Sequence, residues 1–122
     1  MASENPIVRA LKRSDLSAFY DKPFPESVRG LAVEFEGEPV AVAFVINTDP
    51  LQAVSKMKDA LRKYPKTIMK TARKFKEILN TYSSEVYAVA SSEEKNSVNF
   101  LKHIGFIHLE DEVFKWEQQQ YQ

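Results

Sequence analysis

The sequence predicts a single α/β domain, and three observations carry that prediction. Apolar residues change period along the chain: strand-length runs at 31–36, 40–46 and 86–90 contrast with the helical spacing of Ile68, Ala72, Phe75, Ile78 and Leu79. These segments follow one another in the order β, α, β, β, β, α, β, α, β, β, with no internal repeat or linker. Finally, 122 residues with 43% hydrophobic and 28% charged content suffice for one core without disulfide or metal support.

Each element has a local reason. Ile7 to Ala10 is a short strand, and Ser14 and Asp15 are expected to cap a brief helix through Phe19, because their side chains accept from free backbone N–H groups. Pro23, Pro25 and Gly30 mark a loop. The alternating run 31–36, a turn at Gly37-Glu38-Pro39 and the apolar run 40–46 predict a hairpin whose second strand is central in its sheet. Asn47-Thr48-Asp49-Pro50 breaks that run before a further strand at 51–57.

Pro65 suits the first turn of a helix, where its missing N–H costs nothing, and the helical pattern runs to Tyr82 with a basic outer face. Strand spacing returns at 86–90. A helix over 93–104 follows, with Val98, Leu101 and Ile104 inward and Gly105 as a C-cap that tolerates positive φ. Strands at 106–109 and 113–116 flank the acidic turn Glu110-Asp111-Glu112, and the tail 118–122 is polar.

Composition bounds the chemistry. With no cysteine there is no disulfide framework, thiol nucleophile or cysteine zinc site. No apolar run reaches the roughly 20 residues of a membrane span, and the polar start Met1 to Asn5 has no signal-peptide pattern, so a soluble protein away from membranes is expected. Net charge is zero, yet nine Lys or Arg stand against one acid between Lys56 and Lys76. A basic segment could track phosphates, but no exposed aromatics are interleaved with it and no reading motif accompanies it, so nucleic acid is disfavoured against a solvated face or an acidic partner.

The segment Asn96-Ser97-Val98-Asn99-Phe100-Leu101 running into Ile104-Gly105-Phe106, after the strand 86–90, resembles the late segment of the GNAT superfamily of acyl-CoA-dependent N-acetyltransferases. The stretch Phe19-Tyr20-Asp21-Lys22-Pro23-Phe24-Pro25-Glu26-Ser27-Val28-Arg29-Gly30, with Arg62-Lys63-Tyr64-Pro65 and Trp116, is similar to small GNAT-like proteins of tailed phages and prophages, including internal virion proteins of short-tailed phages. The resemblance implies an α+β GNAT-like domain over 1–122, with a central mixed, mostly antiparallel sheet flanked by helices. It also implies acetyl-CoA between the fourth and fifth strands, no metal, and a place in a virion or the host cytoplasm among other phage structural or assembly proteins.

In that superfamily a loop of the type Arg/Gln-x-x-Gly-x-Gly/Ala holds the CoA pyrophosphate on backbone N–H groups. Here the matching stretch is Arg62-Lys63-Tyr64-Pro65-Lys66-Thr67, in which Pro65 and Thr67 replace the small residues. Arg62, Lys63, Lys66 and Thr67 are therefore the candidate CoA phosphate contacts. Solvation of an exposed helix face is the competing explanation for the same charges.

Many active relatives carry a tyrosine acid four residues before the glycine, where this chain has Leu101. The helix-starting asparagine of many relatives falls on Glu94, with Asn96 and Asn99 nearby. Glu34 and Glu36 are the base candidates, although strand alternation assigns both to the solvent face. His103 and His108 have no obvious partner and are expected as surface or partly buried residues rather than ligands, Ser91 and Ser92 could hold an acyl carbonyl or cap the next helix, and Tyr20 and Tyr64 could line a channel or cover core edges. These departures favour a GNAT-fold phage protein with degenerate catalysis, acting as a virion or assembly component. The alternative is an active acetyl-CoA-dependent N-acetyltransferase whose acceptor amine attacks directly.

Overall fold

In a computed structural model of the chain, which describes residues 5–90 and 95–117 and the side chains of the second stretch from Val98 onward, seven strands form one sheet. They are β1 Ile7–Ala10, β2 Val28–Phe35, β3 Glu38–Ile46, β4 Leu51–Met57, β5 Val86–Val89, β6 Ile107–Glu110 and β7 Val113–Trp116. Their spatial order is β1-β2-β3-β4-β5-β7-β6. Every pairing is antiparallel except β4 with β5. The helices are α1 Arg13–Leu16, α2 Pro65–Leu79 and α3 Lys95–Ile104, with a 3₁₀ segment at Asp59–Lys63 before α2. The predicted mixed, mostly antiparallel sheet with flanking helices is what the chain forms.

The β2–β3 hairpin turns on Glu36 and Gly37, both at positive φ (54° and 81°), as a turn twisted to match its strands requires. That corrects the expected Gly37-Glu38-Pro39 turn. Pro39 instead lies in β3 opposite Glu34, where the register shifts and a missing N–H is tolerated. Strand β3 is buried from Val40 to Ile46, as its unbroken apolar run predicts for a central strand covered on both sides.

Helices α2 and α3 cover one face. Phe75, Leu79, Phe100, Ile104, Phe114 and Trp116 pack there with Ala43, Ala53 and Ala88 in the main core, each large side chain contributing about 1.5–3 kcal/mol through burial. On the opposite face α1 and the following loop set Leu16, Phe19, Tyr20 and Phe24 over Ala32, Val42, Phe44 and Ile46. That cover reaches only part of the sheet. Val89 on β5 is 73% exposed and Ile107 on β6 is 58% exposed.

α1 begins at Arg13 rather than being capped by Ser14. Asp15, at its third position, accepts the Lys12 N–H at 2.7 Å and takes a bidentate pair from Arg9 at 2.8 Å each. α3 ends as predicted: Gly105 sits at φ 121°, its N–H donates to the Lys102 carbonyl at 3.1 Å, and the Phe106 N–H reaches the Leu101 carbonyl at 3.0 Å. The expected helix start at Glu93, with Ser91, Ser92 and Glu94, lies outside the described residues, as do the side chain of Asn96 and the tail 118–122. Among the described residues no helix is long and apolar enough to cross a membrane, and no group of His, Cys, Asp or Glu could hold a metal.

Candidate functional site

The parallel pair β4–β5 closes for only three positions, Leu51 to Ala53 against Val86 to Ala88. Beyond them β4 runs on to Met57 while β5 ends at Val89, paired on its other side with Val113 of β7. The sheet therefore opens between these two strands at their carboxyl ends. Open α/β sheets place ligands at such a point, where neighbouring strands part and helices cross above them.

Two cavities flank α3 at this opening. One, of about 400 Å³, is lined by Met57, Arg62, Ile68, Met69, Asn99, Phe100 and His103. The other, of about 340 Å³, lies between α3 and the β6–β7 turn and is lined by Ala90, Val98, Asn99, Lys102, His108, Asp111 and Phe114. Asn99 borders both. The first is apolar along one wall and cationic at another; the second brings together an imidazole, an ammonium and a carboxylate.

The start of α2 offers few backbone donors. Tyr64 gives its N–H to the Leu61 carbonyl at 2.9 Å, Pro65 has none, and Thr67 and Ile68 both donate to the Tyr64 carbonyl, at 3.0 and 3.2 Å. Only the Lys66 N–H of this first turn is left to meet an anion. Pro65 thus withholds one donor from this turn, and the Thr67 N–H is spent on the Tyr64 carbonyl.

The four candidate phosphate contacts divide into two groups. Arg62 borders the 400 Å³ cavity and lies 3.8 Å from Asp59. Lys63, Lys66 and Thr67 line a separate cavity of about 420 Å³ with Asn5, Pro6, Tyr64, Pro65 and Lys70. The basic run also splits between the faces of the sheet, because Lys56 and Lys58 turn toward α1, their ammonium groups 4.8 Å and 5.4 Å from the Tyr20 and Phe19 ring centroids. The nine cations thus form no single track along one helix.

Other candidates settle into structural roles. Glu34 accepts from Arg9 Nε at 3.0 Å, completing a three-residue cluster with Asp15. Asp15 is 4% exposed, and the Arg9 guanidinium holds its carboxyl below the usual carboxylate range. Glu36 sits in the hairpin turn. Tyr20 packs edge-on to Phe24 and Phe44, at 5.1 Å and 6.1 Å, while Tyr64 lies 5.3 Å from the Phe35 ring and borders the lysine-lined cavity. Leu101 is 3% exposed in the main core.

Both histidines are exposed, as expected of surface residues, and one has a partner that the sequence does not announce. His103 is exposed on α3 and lines the 400 Å³ cavity beside Arg62. His108 does have a partner: its Nε2 lies 2.6 Å from the Asp111 carbonyl, and its ring stacks obliquely on Phe114 at 5.0 Å. At the opposite end of β5, the Tyr87 hydroxyl donates to Glu85 at 2.7 Å, which pushes the phenol above its ordinary value and removes it as a ready proton donor. Sequence reasoning missed Met57, Met69, Asn99 and Phe100 as cavity residues. Phe100 carried a signal, one position off the predicted inward stripe of α3.

At the level of sequence, no family model and no curated protein matches this chain. Solved structures do match it, and they show its fold, which is that of the GNAT N-acetyltransferases. An aminoglycoside acetyltransferase in complex with coenzyme A superposes with a TM-score of 0.63 at 14% identity, over 93% of this chain and 95% of that one. The ribosomal-protein-S18-alanine N-acetyltransferase of Escherichia coli gives 0.65 at 8% identity, over 97% of each chain. An N-acetyltransferase of Staphylococcus aureus Mu50 gives 0.61 at 13%, over 95% of this chain and 100% of its own. Identities this low establish a shared fold and nothing finer.

An acyl-CoA molecule asks three things of such a site, and the residues present meet them unequally. A slender apolar arm is matched by the Met57, Ile68, Met69 and Phe100 wall of the cavity beside the strand opening. A diphosphate finds cations, with Arg62 on one flank of the α2 start and Lys63 and Lys66 on the other. A backbone cradle is reduced to one N–H. The fit is good for the arm, divided between two cavities for the charge and poor for the cradle.

Proposed function

We propose that this chain is an acetyl-CoA-dependent N-acetyltransferase that transfers acetyl to an amine by direct attack. The observation that carries this reading is the β4–β5 pair, which parts after Ala53 and Ala88 beside a cavity apolar along one wall and cationic at another. Bound acetyl-CoA supplies an activated acyl group. Its arm lies along Val54 to Met57, whose backbone groups have no β5 partner, with Met57, Ile68, Met69 and Phe100 as the apolar wall. Arg62, with Lys63 and Lys66, meets the phosphates through side chains.

One observation favours a second reading, in which turnover is lost and the fold serves as an interaction component of a virion or its assembly. Leu101, at the position where many members of the superfamily carry an acid, is sealed into the core and has no proton to give. Titrating the purified chain with acetyl-CoA by calorimetry tests the first reading. Saturable binding is expected, weakened about tenfold or more in Arg62→Ala with Lys66→Ala, since a charge-assisted contact is worth about 1.5–3 kcal/mol. Absence of binding at millimolar cofactor overturns it. Binding without thioester cleavage favours the second reading.

A further inference from the structure

We propose that the flank of α2 facing β1 is a docking surface for the acidic β6–β7 turn of a second copy of this chain, so that copies join head to tail. The argument starts from a row of cations. Lys66, Lys70 and Lys74 stand four residues apart, which sets their ammonium groups on one flank of α2 at intervals of about 6 Å along its axis. All three are exposed, as are Lys63 and Arg73 beside them, and none of the five is ion-paired among the described residues. Neither Glu77, the one acid of α2, nor the hairpin carboxylates Glu36 and Glu38 come within ion-pair distance of them. Part of the row is concave: Lys63, Lys66 and Lys70 line the cavity of about 420 Å³ that Asn5 and Tyr64 border.

The complementary surface is on the same chain. Glu110, Asp111 and Glu112 are consecutive and exposed, and none is ion-paired among the described residues. They form the tip of a tight hairpin, with Asp111 at φ 47° between the end of β6 and the start of β7. The cations close to this tip leave it uncompensated. Lys115 of β7 is committed to Glu85 and Glu117, and Lys102, which borders a cavity with Asp111, makes no ion pair with it. A convex anionic tip thus matches a concave cationic flank.

Topology keeps the two apart within one molecule. The cavity adjoins Asn5 and Pro6 at the start of β1, and the acidic turn closes β6; these are the two edge strands of the sheet, six strand spacings or roughly 29 Å apart. Exposed charges more than about 8 Å apart are largely screened at physiological salt, so each pole is left unsatisfied in a single copy. A second copy satisfies it, and a net charge of zero removes the overall repulsion that would oppose the approach. Because the poles lie on opposite edges, the contact is heterologous and leaves a free pole at either end. A nucleic-acid strand suits the row less well, since no exposed aromatic stands among the lysines to stack a base and Tyr64 is held against Phe35. The contact does not depend on the acyl-transfer reading.

Sedimentation of the chain without cofactor tests this. In about 20 mM salt the weight-average mass should climb with concentration to at least about twice the monomer's by millimolar protein, and about 0.5 M salt should return it to the monomer. Charge reversal then locates the contact. Lys70→Glu with Lys74→Glu should stay monomeric at low salt, and so should Glu110→Lys with Glu112→Lys, while an equimolar mixture of the two variants should regain the association, which unfolded chains could not do. None of the four residues is among the proposed acetyl-CoA contacts, so both variants leave the test of that reading untouched. A wild-type chain that is monomeric at low salt, an association that survives either reversal, or a mixture that stays monomeric overturns the proposal. A monomer that retains a single-stranded oligonucleotide, and loses it on reversal of Lys70 and Lys74, assigns the row to nucleic acid and overturns it as well.

Discussion

The two halves of the sheet are built to opposite specifications. Across β2, β3 and the first half of β4 both faces are covered, the strands pair along their length with one register shift at Val33 and Glu34, and Val40 to Ile46 is wholly buried. Across β5, β7 and β6 only the helical face is covered, Val89 and Ile107 face solvent, and the boundary with β4 is a pairing that ends after three residues. One half holds the frame and the other leaves an opening. The separation is not complete, because the altered start of α2 packs on the closed half, where Leu61, Tyr64 and Ile68 meet Val33, Val40 and Ala41.

The contrast makes graded predictions. Phe44→Ala, in the doubly covered half, should cost about 4 kcal/mol in denaturant unfolding, the range for emptying a buried aromatic site. A cost below 1 kcal/mol would break the distinction. Asp15→Ala should cost about 3 kcal/mol, because it strands the Arg9 guanidinium and removes the acceptor for the Lys12 N–H.

That carboxylate also sets a pH dependence. Its folded-state pKa is lowered by Arg9, so its contribution is full above the unfolded value of about 3.9 and is lost as pH falls through the lower folded value. Wild type should therefore lose more stability than Asp15→Asn on acidification below about pH 4. Equal slopes in the two proteins would remove the ion pair from the account.

Gly105→Ala should cost about 2 kcal/mol, since φ 121° strains any side chain although space is open there. It therefore reports backbone geometry alone. At the small end, Val89→Thr on the bare face should change stability by no more than about 0.5 kcal/mol. A large loss there would mean that this face is covered in solution.

How much of this could be read from the sequence follows from the range of each cause. Pro65 at a helix start, Gly105 at a helix end and the unbroken run of β3 are local signals, and the structure follows all three. The hairpin turn was displaced by one residue, because Glu36 adopts a positive φ that sequence assigns more readily to Gly37 or Asn.

The site was less legible because its parts meet only through tertiary structure. Arg62 and Lys63 are neighbours in the chain yet border different cavities. Glu34 was a base candidate until Arg9, 25 residues away, was seen to claim it. His108 found its partner in a backbone carbonyl, a group that every residue has and that no residue type announces.

The central claim is that the half-open side of the sheet receives an acyl-CoA. Amide chemical-shift mapping during an acetyl-CoA titration tests it most directly. The account predicts saturable shifts centred on Val54 to Met57, Met69, Asn99 and His103, with little change along Val42 to Ile46 in the closed half. Shifts confined to Lys63, Lys66 and Lys70, or none at millimolar cofactor, would contradict it.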